Sequence, residues 1–186
     1  MEKNIAYIAL FAALVAALGL IPKLTLGFGV PITAQSLGIM LCGTILGAKR
    51  GALAVLLLLL LVAMGLPLLA GGRGGLGLFF GVTGGFLIGW PIAAYVTGLI
   101  VEKWRTGSIV LVSVIASIIG GIFVTYLFGI VGMAIVLEKT FLESAALMIA
   151  FIPGGIVKVI IAGLLTGAIA KARPASLLSR QIKTKP

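Results

Sequence analysis

The sequence predicts an all-α integral membrane protein of six transmembrane helices with both termini in the cytoplasm. Three observations carry that expectation. Of 186 residues, 61% are hydrophobic and only 10% charged, which is far more apolar than a soluble domain of this size. The apolar residues fall into runs separated by short charged or glycine- and proline-bearing breaks, and a bilayer core of about 30 Å takes roughly 20 such residues per helix. The basic residues gather at the ends of these runs, as the positive-inside bias requires. The whole chain, 1–186, therefore reads as one transmembrane helical domain with spans at about 4–21, 33–48, 51–68, 84–101, 108–128 and 153–171, leaving no room for a soluble domain.

Span one lies between Lys3 and Lys23. Ala9, Ala13 and Ala17 recur in it every four residues, with Ala12 and Ala16 beside them. That spacing makes a smooth stripe against which another helix can pack closely, either within the same bundle or on a separate subunit. Pro22 ends the span, and 24–31 reads as an apolar loop. Thr33 and Gln35 then bring hydrogen-bonding groups to the mouth of span two, where they either satisfy backbone groups freed by Pro31 or contact a ligand.

Span two closes near Ala48, and Lys49-Arg50-Gly51 is expected to form a short charged turn. Span three carries the leucine run 56–61 and ends at Pro67. It delivers a stretch dense in glycine, Gly71-Gly72-Arg73-Gly74-Gly75-Leu76-Gly77-Leu78-Phe79-Phe80-Gly81-Val82-Thr83-Gly84-Gly85. Glycine reaches positive φ at little steric cost, so a regular helix is not expected here. The stretch reads as a loop bearing Arg73, Phe79 and Phe80 that covers or lines a small-molecule pocket.

Span four stops at Glu102-Lys103-Trp104-Arg105, with Trp104 suited to the interface. The uncharged run 106–137 exceeds one span, so span five is placed at 108–128 and 129–137 as an apolar loop or short helix. Proline prefers the first turn of a helix, which starts span six at Pro153 and puts Lys158 little more than one turn inside it. The tail from Lys171 is basic and expected to be aqueous.

Orientation follows by counting. With an even number of spans, both termini share a side with the connections at 49–50 and 103–105. That side holds Lys3, Lys49, Arg50, Lys103, Arg105, Lys171, Arg173, Arg180, Lys183 and Lys185, ten of the fourteen basic residues. It is the cytoplasmic side, and the glycine-rich loop, the loop after span one and the start of span six face outward.

Composition also excludes classes of chemistry. The net charge of +10 sits in short segments beside membrane spans rather than on one nucleic-acid-binding face. There is no histidine, which removes the commonest general base and metal ligand, and no metal site or catalytic residue is expected. The four acids are Glu2, Glu102, Glu138 and Glu143; none lies mid-run, so paired-carboxylate catalysis and an intramembrane proton relay lack their material. The single cysteine, Cys42, excludes an intrachain disulfide. Gly72-Arg73-Gly74-Gly75-Leu76-Gly77 matches G-x-G-x-x-G but follows a membrane span rather than a strand, and no Gly-Lys pair exists for a Walker A loop. Energy for uphill transport would have to come from a partner ATPase or an ion gradient.

The outward surface thus gathers Thr33, Gln35, Arg73, Phe79, Phe80 and Lys158. A helix N-terminus with a lysine one turn in suits an anion, and an ionisable residue inside a membrane span is a functional hypothesis by default.

Val30-Pro31-Ile32-Thr33-Ala34-Gln35, Gly71-Gly72-Arg73-Gly74-Gly75, Thr83-Gly84-Gly85 and Phe151-Ile152-Pro153-Gly154 with Lys158 resemble the BioY family, the biotin-binding substrate-specificity subunits of energy-coupling factor transporters. The resemblance spans most of the chain, and the glycine-rich loop is its most specific part. It implies a multi-pass subunit in a prokaryotic cell (inner) membrane that captures biotin outside and associates with a transmembrane coupling protein and two ATPases. Biotin would be cargo, with no cofactor and no nucleic acid.

The resemblance nominates Gln35, Arg73 and Lys158 as ligand contacts, with Thr33, Phe79, Phe80 and Thr83 around them, and makes Ala9, Ala13 and Ala17 the docking stripe for the coupling protein. Gly155 stands where the family usually has aspartate, and Val82 where proline is common, which leaves Lys158 without an acidic neighbour and free to meet a ligand carboxylate. A solitary or oligomeric transporter for biotin or a related small carboxylate, and a membrane enzyme acting on a lipid, are the alternatives.

Overall fold

The structure is a computed structural model that describes residues 2–25, 27 and 29–181. It is mostly helical. Helix α1 is Glu2–Leu18, followed by a small antiparallel hairpin of β1, Leu24–Thr25, and β2, Pro31–Ile32, in the register Leu24 to Ile32 and Thr25 to Pro31. Then come α2, Gln35–Leu46, α3, Ala48–Ala63, α4, Gly84–Lys103, α5, Ile109–Val136, and α6, Phe141–Ala172. The rods α4, α5 and α6 are each long and apolar enough to cross a membrane.

Much of the bundle's outside is apolar: Leu53, Leu60, Leu111, Phe123, Ile156 and Leu164 are all exposed. Patches of that kind would drive aggregation in water. Lipid is their natural solvent.

Helix α4 is the centre of the bundle, and its small residues make it so. A Cβ on Gly85 would strike the Phe128 carbonyl and the backbone of Gly132 on α5, and one on Gly98 would strike the backbone of Gly47 and Ala48. Backbones touch at these points because no side chains intervene, which maximises dispersion contact where water-driven burial contributes little. Around α4 lie Leu58, Val55, Ile39 and Met40, all fully or nearly fully buried.

Several expected boundaries move, each for a local reason. Lys49-Arg50-Gly51 is the first turn of α3 rather than a loop. The reversal is made at Gly47 alone, whose φ of +87° suits glycine. Two side chains stitch it: the Ala48 N–H donates to Glu102 Oε1 at 3.0 Å, and the Arg50 Nε donates to the Leu46 carbonyl at 3.1 Å. A carboxylate at a helix start and a cation at a helix end both oppose the local backbone dipole favourably.

The segment 129–137, expected as an apolar loop or a short helix, is helical but not separate, since α5 runs unbroken to Val136. It contains a π-helical stretch, Ser117–Val124, with Gly120 set against Thr97 and Gly121 against Met40. Pro153 does lie in the first turn of an α-helical segment, Ile152–Ala172. That segment continues directly from Phe141–Leu147 and a 3-10 turn, Met148–Phe151, so α6 starts at Phe141 behind a capping box of Thr140 and Glu143. The glycine-rich loop is not wholly irregular either, because Leu76–Phe79 forms a 3-10 turn.

The tail is likewise more ordered than its charge suggests. Through Arg180 it folds back under the bundle and buries Leu177, Leu178 and Ser179. The Ser179 hydroxyl donates to the Thr44 carbonyl at 2.5 Å, and the Arg50 Nη2 donates to the Leu178 carbonyl at 2.9 Å. Two leucines in Leu177-Leu178 supply the apolar anchor that the surrounding cations conceal.

Candidate functional site

At the end of the bundle where α2 and α4 begin, a cavity opens with about 610 Å³ of space between atoms, counting its mouth. The hairpin and the start of α2 form one wall with Ile32, Thr33, Gln35 and Ser36; the turn after α3 adds Leu69 and Arg73. Thr83 and one face of α4, with Phe86 and Trp90, form the second wall, while Thr125 and Tyr126 of α5 and Phe151 and Lys158 of α6 close the third. Aromatic rings meet there: Phe151 lies 6.2 Å, centroid to centroid, from both Phe86 and Tyr126. Such a pocket offers apolar walls with a few placed polar groups, the usual composition of a small-molecule site.

Lys158 reaches from α6 to α2, where its Nζ donates to Ser36 Oγ at 2.9 Å. Ser36 passes the bond on, donating to the Thr33 carbonyl at 3.3 Å. An ammonium carries three protons, so the head has donors to spare.

Arg73 stands across the cavity on a tight turn closed by two backbone bonds between Leu69 and Arg73, at 3.0 and 3.1 Å. Gly71 and Gly72 make the turn with φ of +81° and +67°, a region that other residues enter only under strain. Arg73 Nε donates to the Ala70 carbonyl at 3.2 Å, which orients the guanidinium. Among the described lining residues there are two cations and no acid. A lining of that charge favours an anion.

Gln35 lines the same cavity, yet its amide is engaged elsewhere. Its Nε2 donates to the Val15 carbonyl at 3.1 Å and to the Leu68 carbonyl at 3.0 Å, while its Oε1 accepts from the Ala70 N–H at 2.9 Å. This buried side chain therefore locks α1, the start of α2 and the Arg73 turn together. The backbone groups it satisfies lie on α1 and in the Arg73 turn, not beside Pro31 as the sequence suggested.

Thr33 and Thr83 line the cavity as expected. Phe79 and Phe80 do not. Phe79 borders a groove between α1, α3 and α4 with Ile8, Leu60 and Ile88, and Phe80 is 80% exposed, because the 3-10 turn that ends at Phe79 turns both rings away. The stripe of Ala9, Ala13 and Ala17 lies on the exposed face of α1, whereas Phe11, Ala12 and Val15 face the bundle.

Ser36, Phe86, Trp90, Thr125 and Tyr126 escaped the sequence reading, and Phe151 entered it only within the family motif. Three of them carried a usable signal: Thr125-Tyr126 puts two hydroxyls inside an otherwise apolar run, and Trp90 sits in mid-span, where tryptophan has no interface to favour it.

Residues 2–175 match the BioY family. The chain is 53% identical over 189 aligned residues to a protein of Rhodobacter capsulatus named biotin transporter BioY, an alignment that covers 97% of this chain and all of that one. It is 42% identical to the probable biotin transporter BioY of Bacillus subtilis, with 89% of each chain covered. Its fold is similar to the crystal structure of the S-component for biotin from an ECF-type ABC transporter, with a TM-score of 0.87, 31% identity, and 91% of this chain and 92% of that one covered.

Proposed function

The chain belongs to the BioY family, and from that premise we propose that it is the biotin-binding membrane subunit of a vitamin uptake transporter rather than an enzyme. The observation that carries the reading is the cavity itself, an aromatic-walled pocket in which, among the described lining residues, Lys158 and Arg73 are the charged groups and no carboxylate opposes them. Biotin has an apolar fused ring and aliphatic chain ending in a carboxylate. Rings of Phe86, Trp90 and Phe151 suit its body, and a charge-assisted bond from Lys158 or Arg73 suits its acid.

The chain crosses a prokaryotic cell (inner) membrane six times, with both termini cytoplasmic. Supporting this are the apolar rods α4, α5 and α6 and the gathering of ten basic residues on one side of the predicted topology. Helices α1, α2 and α3 are shorter, and as spans they require either local thinning of the bilayer or completion by their flanking loops. No Walker A loop lies in the chain, and of the two remaining sources, a partner ATPase or an ion gradient, we assign the energy to the first, a transmembrane coupling protein with two ATPases. The S-component named in the similar crystal structure, which belongs to an ECF-type ABC transporter, and the exposed Ala9, Ala13 and Ala17 stripe support that assignment.

The test is purified protein with labelled biotin, free in detergent and reconstituted alone in vesicles. Saturable binding without accumulation is expected. No binding would overturn the biotin assignment, and accumulation against a gradient by this chain alone would overturn the dependence on ATPases.

A further inference from the structure

Tyr126, which lines the cavity, meets the buried Gly155 in a way that neither residue explains alone. Gly155 is buried on the inner face of α6, one turn before Lys158. A Cβ built on it would lie 2.9 Å from the Tyr126 hydroxyl and 3.2 Å from Ile122 Cδ1, so the phenol fills the room that a side chain at 155 would need. The hydroxyl is also fixed in direction, because it bonds the Phe151 carbonyl at 3.0 Å. A carbonyl can only accept, so the phenol proton is committed there and the oxygen keeps a lone pair for another donor.

The two polar groups near this part of α6 therefore differ in kind. Lys158 Nζ, carried off to Ser36 on α2, offers protons. Tyr126 Oη, held against the α6 backbone, can only receive one. A cavity that offers an oriented acceptor as well as a cation favours a ligand that carries an N–H donor in addition to its anionic group.

We propose that Tyr126 Oη accepts a hydrogen bond from an N–H of the bound ligand, a urea N–H in the case of biotin, and that glycine at 155 is what admits the phenol to this position. The proposal rests on the biotin reading above and names how the ligand's second end is recognised. Glycine at 155 and tyrosine at 126 act as one unit: any larger residue at 155 displaces the hydroxyl, and loss of the hydroxyl frees the space.

The experiment measures binding of biotin and of its two singly N-methylated urea analogues to purified full-length wild type, Tyr126→Phe, Gly155→Ala and the double variant. Tyr126→Phe is expected to weaken biotin about tenfold, the scale of one hydrogen bond in a desolvated site, and to leave one of the two methylated analogues unaffected. Gly155→Ala is expected to weaken biotin in the wild-type background and to cost several-fold less when residue 126 is phenylalanine. The biotin-to-analogue affinity ratio is read within each protein, so it holds even where a variant is less stable. A ratio unchanged by Tyr126→Phe for both analogues, or a Gly155→Ala cost equal in both backgrounds, would overturn the assignment. Failure of the wild type to bind biotin would instead overturn the proposed function on which it rests.

Discussion

Lys158 donates to Ser36 at 2.9 Å across 122 positions of sequence, joining the final helix to the mouth of the second. The bond holds the cation at the cavity and uses one of the ammonium's three donors. Replacing Lys158 with methionine keeps length and apolar bulk while removing the charge. With hydrogen bonds to charged groups worth about 1.5–3 kcal/mol, biotin affinity should fall roughly ten- to hundredfold, as read by equilibrium binding. Ser36→Ala should cost only a few-fold, since it loosens the lysine without removing it. Wild-type affinity in Lys158→Met would show that the ligand's acid is held elsewhere, with Arg73 as the next residue to replace.

Gln35 should behave differently, because its three bonds go to the protein. Gln35→Leu leaves the Val15 and Leu68 carbonyls and the Ala70 N–H without this partner, and each buried polar group so stranded costs about 1–3 kcal/mol. Thermal unfolding in detergent should show a clear drop in melting temperature without ligand. The Arg73 turn, which hangs on the Ala70 bond, should become more open to protease. A melting temperature equal to wild type would remove Gln35 from its structural role.

How far residues predict this site depends on whether their direction is set locally. Lys158 and Arg73 stood out as isolated cations among apolar or glycine neighbours, and topology alone brings them to one end of the molecule. Phe79 and Phe80 were just as conspicuous, but a 3-10 turn decides where their rings point, and a glycine-rich segment gives no periodicity from which to read it. Tyr126 follows a π-helical stretch that shifts the register of α5, so a regular 3.6-residue count misplaces it. Lys49-Arg50 looked like a loop because the cap that lets α3 begin there, Glu102, lies 54 positions away. Long-range partners of this kind leave no mark in the local pattern.

Close backbone approach predicts a contrast between two glycines. Gly85→Ala would drive a methyl into Phe128 and Gly132 on α5, whereas a Cβ on Gly77 meets nothing within 4 Å. Overpacking of a tight interface costs about 1–3 kcal/mol, so Gly85→Ala should lower the melting temperature and Gly77→Ala should leave it near wild type. Equal effects would mean that α4 and α5 do not pack through these backbones.

Ala9, Ala13 and Ala17 share the exposed face of α1, while the neighbouring Ala12 is buried at 4% exposure. An alanine repeat every four residues lets a second helix approach closely, and one large side chain in its middle holds that helix away. Ala13→Leu should therefore leave biotin affinity and melting temperature unchanged while abolishing recovery of the coupling protein and ATPases in a co-purification from membranes. Ala12→Leu is the opposite case: its added bulk enters the bundle, and the variant should lose about 1–3 kcal/mol of stability. Two variants one residue apart thus separate docking from folding. Full recovery of partners with Ala13→Leu would place the docking face on another helix, and a stability loss equal to that of Ala12→Leu would mean that this side of α1 is packed within the bundle.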